Sequence, residues 1–414
     1  METNKKNIPE IRFPEFMNDG EWLSAPLNEL IKTIPPTNKL QTSEYKPSGK
    51  YPIIDQSQKY IVAYSDATEA LTNTERSDTI VFGDHTCALK FVSFPFIQGA
   101  DGIKIFKSKD NNKILTDYLY QYLSAFPIES KEYKRHFSEL KETLIKFPSD
   151  AIEQKRIAEC MESLERYTIQ TKVKLEQLKA HKKGLMQKLF PAPGKSVPEC
   201  RFKEFENAGE WEQLYIKDIF EFIPNNTLSR AELNYNIGNV KNIHYGDILT
   251  SFNECLNTQK ETIPFVTNLN LSEKLKRVKL NNGDIVIADT AEDETVGKCT
   301  EIMNMQHIDT IVSGLHTIAL HPTTKFATGF LGFFMNSESF RHQLLPLMQG
   351  VKVLSLSKKA IASCNIYYPM SFLEQKRIAE CLTSLNDQIC LYNDKLDILE
   401  RHKQALRQRL FPTI

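Results

Sequence analysis

The octapeptide EQKRIAEC stands at residues 153–160 and again, letter for letter, at residues 374–381, a coincidence that chance does not produce in 414 residues. A second block behaves the same way. PEIRFPEFMNDGEW at 9–22 returns as PECRFKEFENAGEW at 198–211, so Arg12, Phe13, Phe16, Gly20, Glu21 and Trp22 reappear as Arg201, Phe202, Phe205, Gly209, Glu210 and Trp211. The two tryptophans of the chain are thus one position used twice. Each octapeptide leads on to Leu-Phe-Pro, at 189–191 and 410–412. The first block is displaced by 189 positions (Arg12 to Arg201) and the second by 221 (Glu153 to Glu374), which leaves the second copy 32 residues longer between its blocks. An internal repeat of this kind decides architecture before any local signal does, and it makes the chain a tandem of two half-molecules with diverged middles.

The long blocks read as helices. Pro148 and Pro369 end what precedes, and Asp150 with Glu153, and Ser371 with Glu374, have the spacing of a capping box. From Ile378 the apolar positions step by 4, 3, 4, 3 through Leu382, Leu385, Ile389, Tyr392, Leu396, Leu399, Lys403 and Leu406 to Leu410. The first block matches them with Ile157, Met161, Leu164, Thr168, Thr171, Leu175, Leu178, Lys182, Leu185 and Leu189. That is a heptad seam. Two equal helices with equal seams are expected to pair, Ile157, Leu164, Leu175, Leu178 and Leu185 of one facing Ile378, Leu385, Ile389, Leu396, Leu399 and Leu406 of the other. Each middle feeds its own helix, and the first helix leaves through the short link PAPGKSV. Pairing is therefore expected to be antiparallel, with one head at each end of a rod about 55 Å long at 1.5 Å per residue and with the chain termini close together. The plainer alternative is a pair of amphipathic helices lying on separate cores, but such helices are usually shorter and carry a wider apolar stripe.

The fold class expected is α+β: two α/β heads separated by a pair of long antiparallel coiled-coil helices, with pseudo-twofold symmetry. The first head occupies 1–150, the first spacer helix 151–191, the second head 192–371 and the second spacer helix 372–414. Within the heads, β-type runs at 78–82, 102–106, 284–288 and 316–320 are bounded by Gly, Asp and Asn turns, and helical stretches follow at 117–125 and 326–335. Residues 78–82 and 284–288 are read as matching strands. Fifty-two basic residues balance fifty-two acidic ones, so no global field draws the chain to nucleic acid or to a membrane. Eight scattered cysteines with no Cys-x-x-Cys pair argue against a disulfide framework or a zinc finger and fit a reducing compartment. The N-terminus lacks the apolar core of a signal peptide and no run of about 18 apolar residues occurs, which points to a cytoplasmic, soluble protein without membrane partners.

No phosphate-binding glycine loop, zinc-binding His-Glu-x-x-His or methyltransferase tetrad is present. The acidic run DTAEDE at 289–294 has no spacing that forces its carboxylates onto one metal, and it reads as a solvated loop. The first head does hold side chains suited to base edges and phosphates: Gln58 and Lys59; Asp84, His85 and Thr86 of the GDHT turn; Lys90; Arg135 and His136 after Tyr133 and Lys134; and Lys141. In the second head the corresponding candidates are Lys276, Arg277, Lys298, His316 of the GLHT turn, and Lys352. His85 and His316 serve equally well as hydrogen-bonded structural histidines, and lysine-rich loops are commonly just solvated surface.

The alternation of variable head, EQKRIA-type helix ending in Leu-Phe-Pro, Arg-Phe-x-x-Phe…Gly-Glu-Trp segment, second head and second helix resembles the specificity subunit of type I restriction-modification enzymes over nearly the whole chain. The resemblance implies that each head is a target-recognition domain reading one half of a split double-stranded DNA sequence, on an antiparallel spacer. It implies partners that do the chemistry: modification subunits that carry S-adenosylmethionine and methylate adenine, and a restriction subunit that uses ATP and Mg to translocate and cut. No catalytic residue, metal or cofactor is then expected in this chain. The segment 51–102, with YPIIDQSQ, VFGDHT and FPFIQGADG, and residues 133–148 are similar to one common kind of target-recognition domain, whereas the second head has TAEDETVGKCTEI where the first has GDHTCALKF. The rival reading is a coiled-coil adaptor whose two heads bind proteins, which explains the helices but not the unlike loops.

If the paired helices act as a ruler, inserting one heptad after Leu178 and one after Leu399 keeps the seam in register and lengthens the spacer by about 10 Å, or roughly three base pairs at about 3.4 Å each. The methylated motif of the variant, read from genomic DNA, should carry a correspondingly longer gap between its halves. An active variant with the original gap would refute the ruler.

Overall fold

The computed structural model describes residues 7–35, 37–99, 102–129 and 135–412. It divides into two compact units, Met1–Lys172 with Lys395–Ile414, and Val173–Asp394. The boundary falls inside both long helices, Ala151–Leu189 and Phe372–Leu410, so each unit holds a portion of each helix.

In the first unit an antiparallel sheet runs in the order Ile31–Ile34, Ile103–Ser108, Thr79–Gly83, Leu89–Val92. A second sheet is built around the parallel pair Tyr51–Ile54 and Phe96–Gln98. The run TIVFG is buried throughout because the sheet has a core on each face. Side chains alternate along a strand, so Ile80 and Phe82 enter the core shared with helix Thr116–Ala125 and Trp22, while Val81 enters the one shared with Ile54 and Phe96. The second unit repeats the plan: Phe220–Ile223, Thr317–Pro322, Ile285–Ala288 and Cys299–Met303 lie in that order, with Ile285 and Ile287 in one core and Val286 and Ala288 in the other. The parallel pair is here Lys241–Ile243 with Ile311–Ser313. The longer second middle adds strand Cys255–Asn257 at the sheet edge and the ribbon Thr290–Ala291 with Leu354–Ser355. The helix expected over 326–335 starts only at Phe330, because Gly329 immediately before it takes the left-handed φ of 88°.

Every seam position of both long helices is buried or half-buried. In the first unit Ile157 and Met161, early in one helix, share a core with Leu406 and Leu410, late in the other, and the Lys395 ammonium lies 4.6 Å from the Tyr167 ring centre. In the second unit Leu185, Met186 and Leu189 pack with Ile378, Ala379 and Leu382. The helices run antiparallel in each unit. Thr168, polar within the seam, satisfies its hydroxyl by donating to the Leu164 carbonyl at 2.8 Å.

The repeated blocks prove to be two halves of one device. Arg12 grips Glu153 through Nε and Nη2 at 2.6 and 2.7 Å, and Arg201 grips Glu374 at 2.8 and 2.6 Å. The remaining guanidinium nitrogen donates to Asp19 and Gly20 carbonyls in one copy and to Ala208 and Gly209 carbonyls in the other. Gln154 joins helix to head through the Leu115 amide and the Lys113 and Pro148 carbonyls; Gln375 does so through the Ala327 amide and the Pro369 carbonyl. Arg156 and Arg377 lie over the Phe13 and Phe202 rings, and Ile157, Ala158, Ile378 and Ala379 face the core. The capping boxes expected at Asp150 and Ser371 are correspondingly incomplete. The cap residues accept amide hydrogens from Ile152 and Glu374, but both glutamates turn to arginine, whose planar fork offers two charge-assisted bonds. Leu410 and Phe411 complete the core around Trp22, as Leu189 and Phe190 do around Trp211. The Ile11 amide donates to the Arg409 carbonyl at 3.0 Å, and at the same place in the other copy the Cys200 amide donates to Lys188 at 2.9 Å.

Arg12→Met leaves the buried Glu153 carboxylate without its counter-charge and should cost about 3–5 kcal/mol, read as a lower urea midpoint for the first unit. Arg12→Met with Glu153→Leu should recover most of the loss, because neither charge is then stranded. A double variant no more stable than the single one would show that the pair supplies more than charge neutralisation.

Candidate nucleic-acid interface

Three loops of the first unit meet beyond the Gly83 end of the central strand. The GDHT turn is closed by the Gly83 amide on the Ala88 carbonyl and the Cys87 amide on Gly83, both 2.8 Å, with Cys87 in the left-handed region at φ 56°. Asp84, only 3% exposed, fastens it in three ways: its amide donates to the Gly102 carbonyl (2.6 Å), its carbonyl accepts from the His136 amide (2.8 Å), and its carboxylate accepts from the Phe137 amide (2.9 Å). The Thr86 hydroxyl donates to the Gln56 carbonyl, tying in the loop after Tyr51–Ile54. Lys90 holds that loop from beneath; its ammonium donates to the carbonyls of Asp55 and Lys59, each at 2.7 Å. Gly83 is required here because a Cβ would collide with the Thr86 hydroxyl and the Gln56 carbonyl, and Gly102 because its φ of 96° lies in the left-handed region.

The candidate segments at 57–60, 83–86 and 135–136 therefore come together, but their residues divide into two kinds. Gln58, Lys59 and Arg135 are exposed, His85 and Thr86 are half-exposed, and Lys141 lies half-buried against the Phe137 ring. Asp84, Lys90 and His136 are interior, Lys90 at 4% and His136 at 0% exposure. Lys90 satisfies two buried carbonyls, and burial draws its pKa down against the opposing pull of Asp55. His136 is carried inward because its backbone is stitched to Asp84. These three position the loops and present no group to a ligand. Tyr133 and Lys134 lie outside the described residues.

The second unit ties its loops in the same way. The Asp289 amide donates to the His316 carbonyl (3.1 Å) and its carbonyl accepts from the Leu356 amide (2.8 Å), as Asp84 does with Gly102 and His136. Strand register agrees, pairing Gly83 with Ile103 and Ala288 with Thr317. Asp289 is thus the counterpart of Asp84, and the strand match is 79–83 with 284–288, one residue away from the match expected. His316 stands where Gly102 does, also left-handed at φ 52°, but exposed. Its Nδ1 lies 3.4 Å from the Asp289 carboxylate and 3.3 Å from the Thr290 hydroxyl, and its ring stands edge-on to Tyr245. Tyr245 packs on His244, whose pKa burial lowers, and nearby Arg230 clamps Asp247 at 2.6 and 3.1 Å. Tyr245, Arg230 and Asp289 carry no sequence signal: they gain their place only when the sheet that holds Lys241–Ile243 packs on the sheet that holds Ile285–Ala288.

The other candidates of this unit are scattered. Lys276, paired with Glu273 at 2.6 Å, and Arg277 are exposed just after helix Leu269–Leu275. Lys298 is half-buried, donates to the Leu249 carbonyl at 3.1 Å and lines a cavity of about 790 Å³ with Lys182, Glu254, Glu294 and Arg341; burial lowers its pKa. Lys352 is exposed at the tip of the hairpin that Leu356 anchors. In the acidic loop Asp293 turns back on Thr295 while Glu294 approaches Arg341, and among the described residues no three His, Cys, Asp or Glu gather as a metal site. Among the same residues no helix is long and apolar enough to cross a membrane.

Known proteins match this organisation. The family model for the type I restriction modification DNA specificity domain matches residues 20–180 and again 208–401. Over 214 residues the chain is 29% identical to the type I restriction enzyme EcoR124I/EcoR124II specificity subunit of Escherichia coli, covering 49% of this chain and about half (52%) of that protein's length. Over 431 aligned positions it is 24% identical to the type I restriction enzyme MjaVIII specificity subunit of Methanocaldococcus jannaschii, covering 99% of this chain and 95% of that one. The fold is similar to that of the type I restriction-modification system S subunit from M. genitalium, with a TM-score of 0.65 at 16% identity, 98% of this chain and 100% of that one being covered. With the family domain present twice and spanning most of its residues, the chain belongs to the type I restriction-modification DNA specificity family.

Proposed function

We propose that the chain is the non-catalytic DNA-reading subunit of a cytoplasmic type I restriction-modification complex, each unit reading one half of a bipartite double-stranded target. The observation that carries this reading is the pair of loop clusters: one set of backbone ties, through Asp84 and through Asp289, holds loops of unlike sequence at equivalent places on the corresponding sheets of the two units. A shared mount with unlike tips suits two readers of different half-sites. An adaptor for two proteins has no need of the shared mount.

In this reading Gln58, Lys59, His85, Thr86 and Arg135 of the first unit, and Arg230, Tyr245, Thr290, His316 and Lys352 of the second, face DNA, with the cations on phosphates and the amides, hydroxyls and rings on base edges. The chemistry belongs to partners: modification subunits with S-adenosylmethionine, and restriction subunits with ATP and Mg. A chain with zero net charge then leaves a share of the phosphate contacts to them.

The test is an exchange of residues 32–147 for the corresponding segment of another family member, with the methylated motif read from genomic DNA. One half of the motif should change and the other remain. A change in both halves, or in neither, would overturn independent reading. In the same complex Lys59→Ala or Arg135→Ala should flatten the slope of log K against log salt by about one for each phosphate that is no longer neutralised; unchanged slopes would move the DNA face elsewhere.

A further inference from the structure

The hairpin at 349–355 carries a lysine between two exposed valines at its tip. It is closed by the Gln349 amide on the Ser355 carbonyl (3.0 Å) and the reverse bond (2.8 Å), and its base is welded to the loop cluster, Thr290 opposite Ser355 and Ala291 opposite Leu354. Gly350, at φ 117°, makes the tip, where a Cβ would run into the Val353 carbonyl. A tip in water is usually built of Asn, Asp, Ser or Gly. This one reads Val351, Lys352, Val353, with Val351 99% and Val353 49% exposed. Along the chain from Ser339 to Leu373 there is no Asp or Glu, and Lys352, Lys358 and Lys359 are all exposed, while the exposed carboxylates Glu292, Asp293 and Glu294 follow the strand paired with the hairpin's base and leave Lys352 as the charge at the tip. Lys352 at the tip suits a polyanion, and the exposed valines on either side of it suit an apolar feature on that polyanion.

Double-stranded DNA offers one such feature at base level, the C5 methyl group of thymine, which lies in the major groove, a groove wide enough for a two-stranded β-ribbon. We infer that the 349–355 hairpin enters the major groove of the second half-site, that Val351 and Val353 pack on a thymine methyl, and that Lys352 takes an adjacent phosphate. This rests on the DNA-reading function proposed above and adds to it a base class, A·T read through its methyl group, at the position the hairpin reaches.

The experiment uses the full chain in complex with its modification subunits and duplexes carrying its methylated motif, with each thymine of the second half-site replaced in turn by deoxyuridine, which lacks only the methyl. One replacement should weaken binding about fourfold, the factor that burying one such group gives. Val351→Ser, at an exposed tip where folding is not at stake, should weaken binding to the thymine duplex comparably and abolish the difference between thymine and deoxyuridine. Lys352→Ala should instead lower the salt slope by about one and keep the methyl effect. A second half-site without an A·T pair, no deoxyuridine effect at any position, or an effect that survives in Val351→Ser would each overturn methyl reading while leaving DNA recognition intact. Failure of the wild-type complex to prefer its motif would overturn the DNA-reading function itself.

Discussion

The buried grip of Arg12 on Glu153, and of Arg201 on Glu374, is the contact on which the rest of each unit depends. A lone carboxylate at about 1% exposure is untenable in a protein interior, and a bidentate guanidinium that also caps two carbonyls makes it tenable. Its consequence is directional. Both partners sit on fixed backbone, one on the segment before the tryptophan and one in the first turn of a 39-residue helix, so closing the pair sets the angle at which the helix leaves its head. The tryptophan and the Leu-Phe of a helix end then fill the space alongside, with Phe190 edge-on to Trp211 and Phe411 edge-on to Tyr118.

Above this joint the sheet separates two tasks. One face of each central strand packs on the helices and joins the head to the joint; the other packs on the second sheet, from which the loop after the parallel strand emerges. The strand ends remote from the joint carry the candidate DNA face. Support and recognition thus occupy opposite ends of the same strands, which is why the repeated blocks and the variable loops do not intermingle in the sequence.

That separation also explains what could be read from the letters alone. The duplication, the heptad seam and the strands at 79–83 and 285–288 are written in periodicities that reflect one-dimensional constraints, and they were legible. The role of Glu153 was not, because its partner lies 141 positions away and the local spacing imitates a capping box. Lys90 and His136 have the chemistry of DNA contacts, and only the path of the Asp55, Lys59 and Asp84 backbones turns them inward. Asp289 was hidden within an acidic run, where nothing but strand register singles it out as the equal of Asp84.

The ties made by Asp84 and Asp289 to the neighbouring loops run mainly through amides and carbonyls, groups that every residue except proline supplies alike. Apart from Thr86 and the Asp84 carboxylate, the exposed loop side chains such as Gln58, Lys59 and Arg135 take little part in the mount, so a substitution there comes at little expense to the fold. Such a mount uncouples the stability of each unit from the identity of its exposed loop residues, so that variation there draws little on the free energy that holds the unit together.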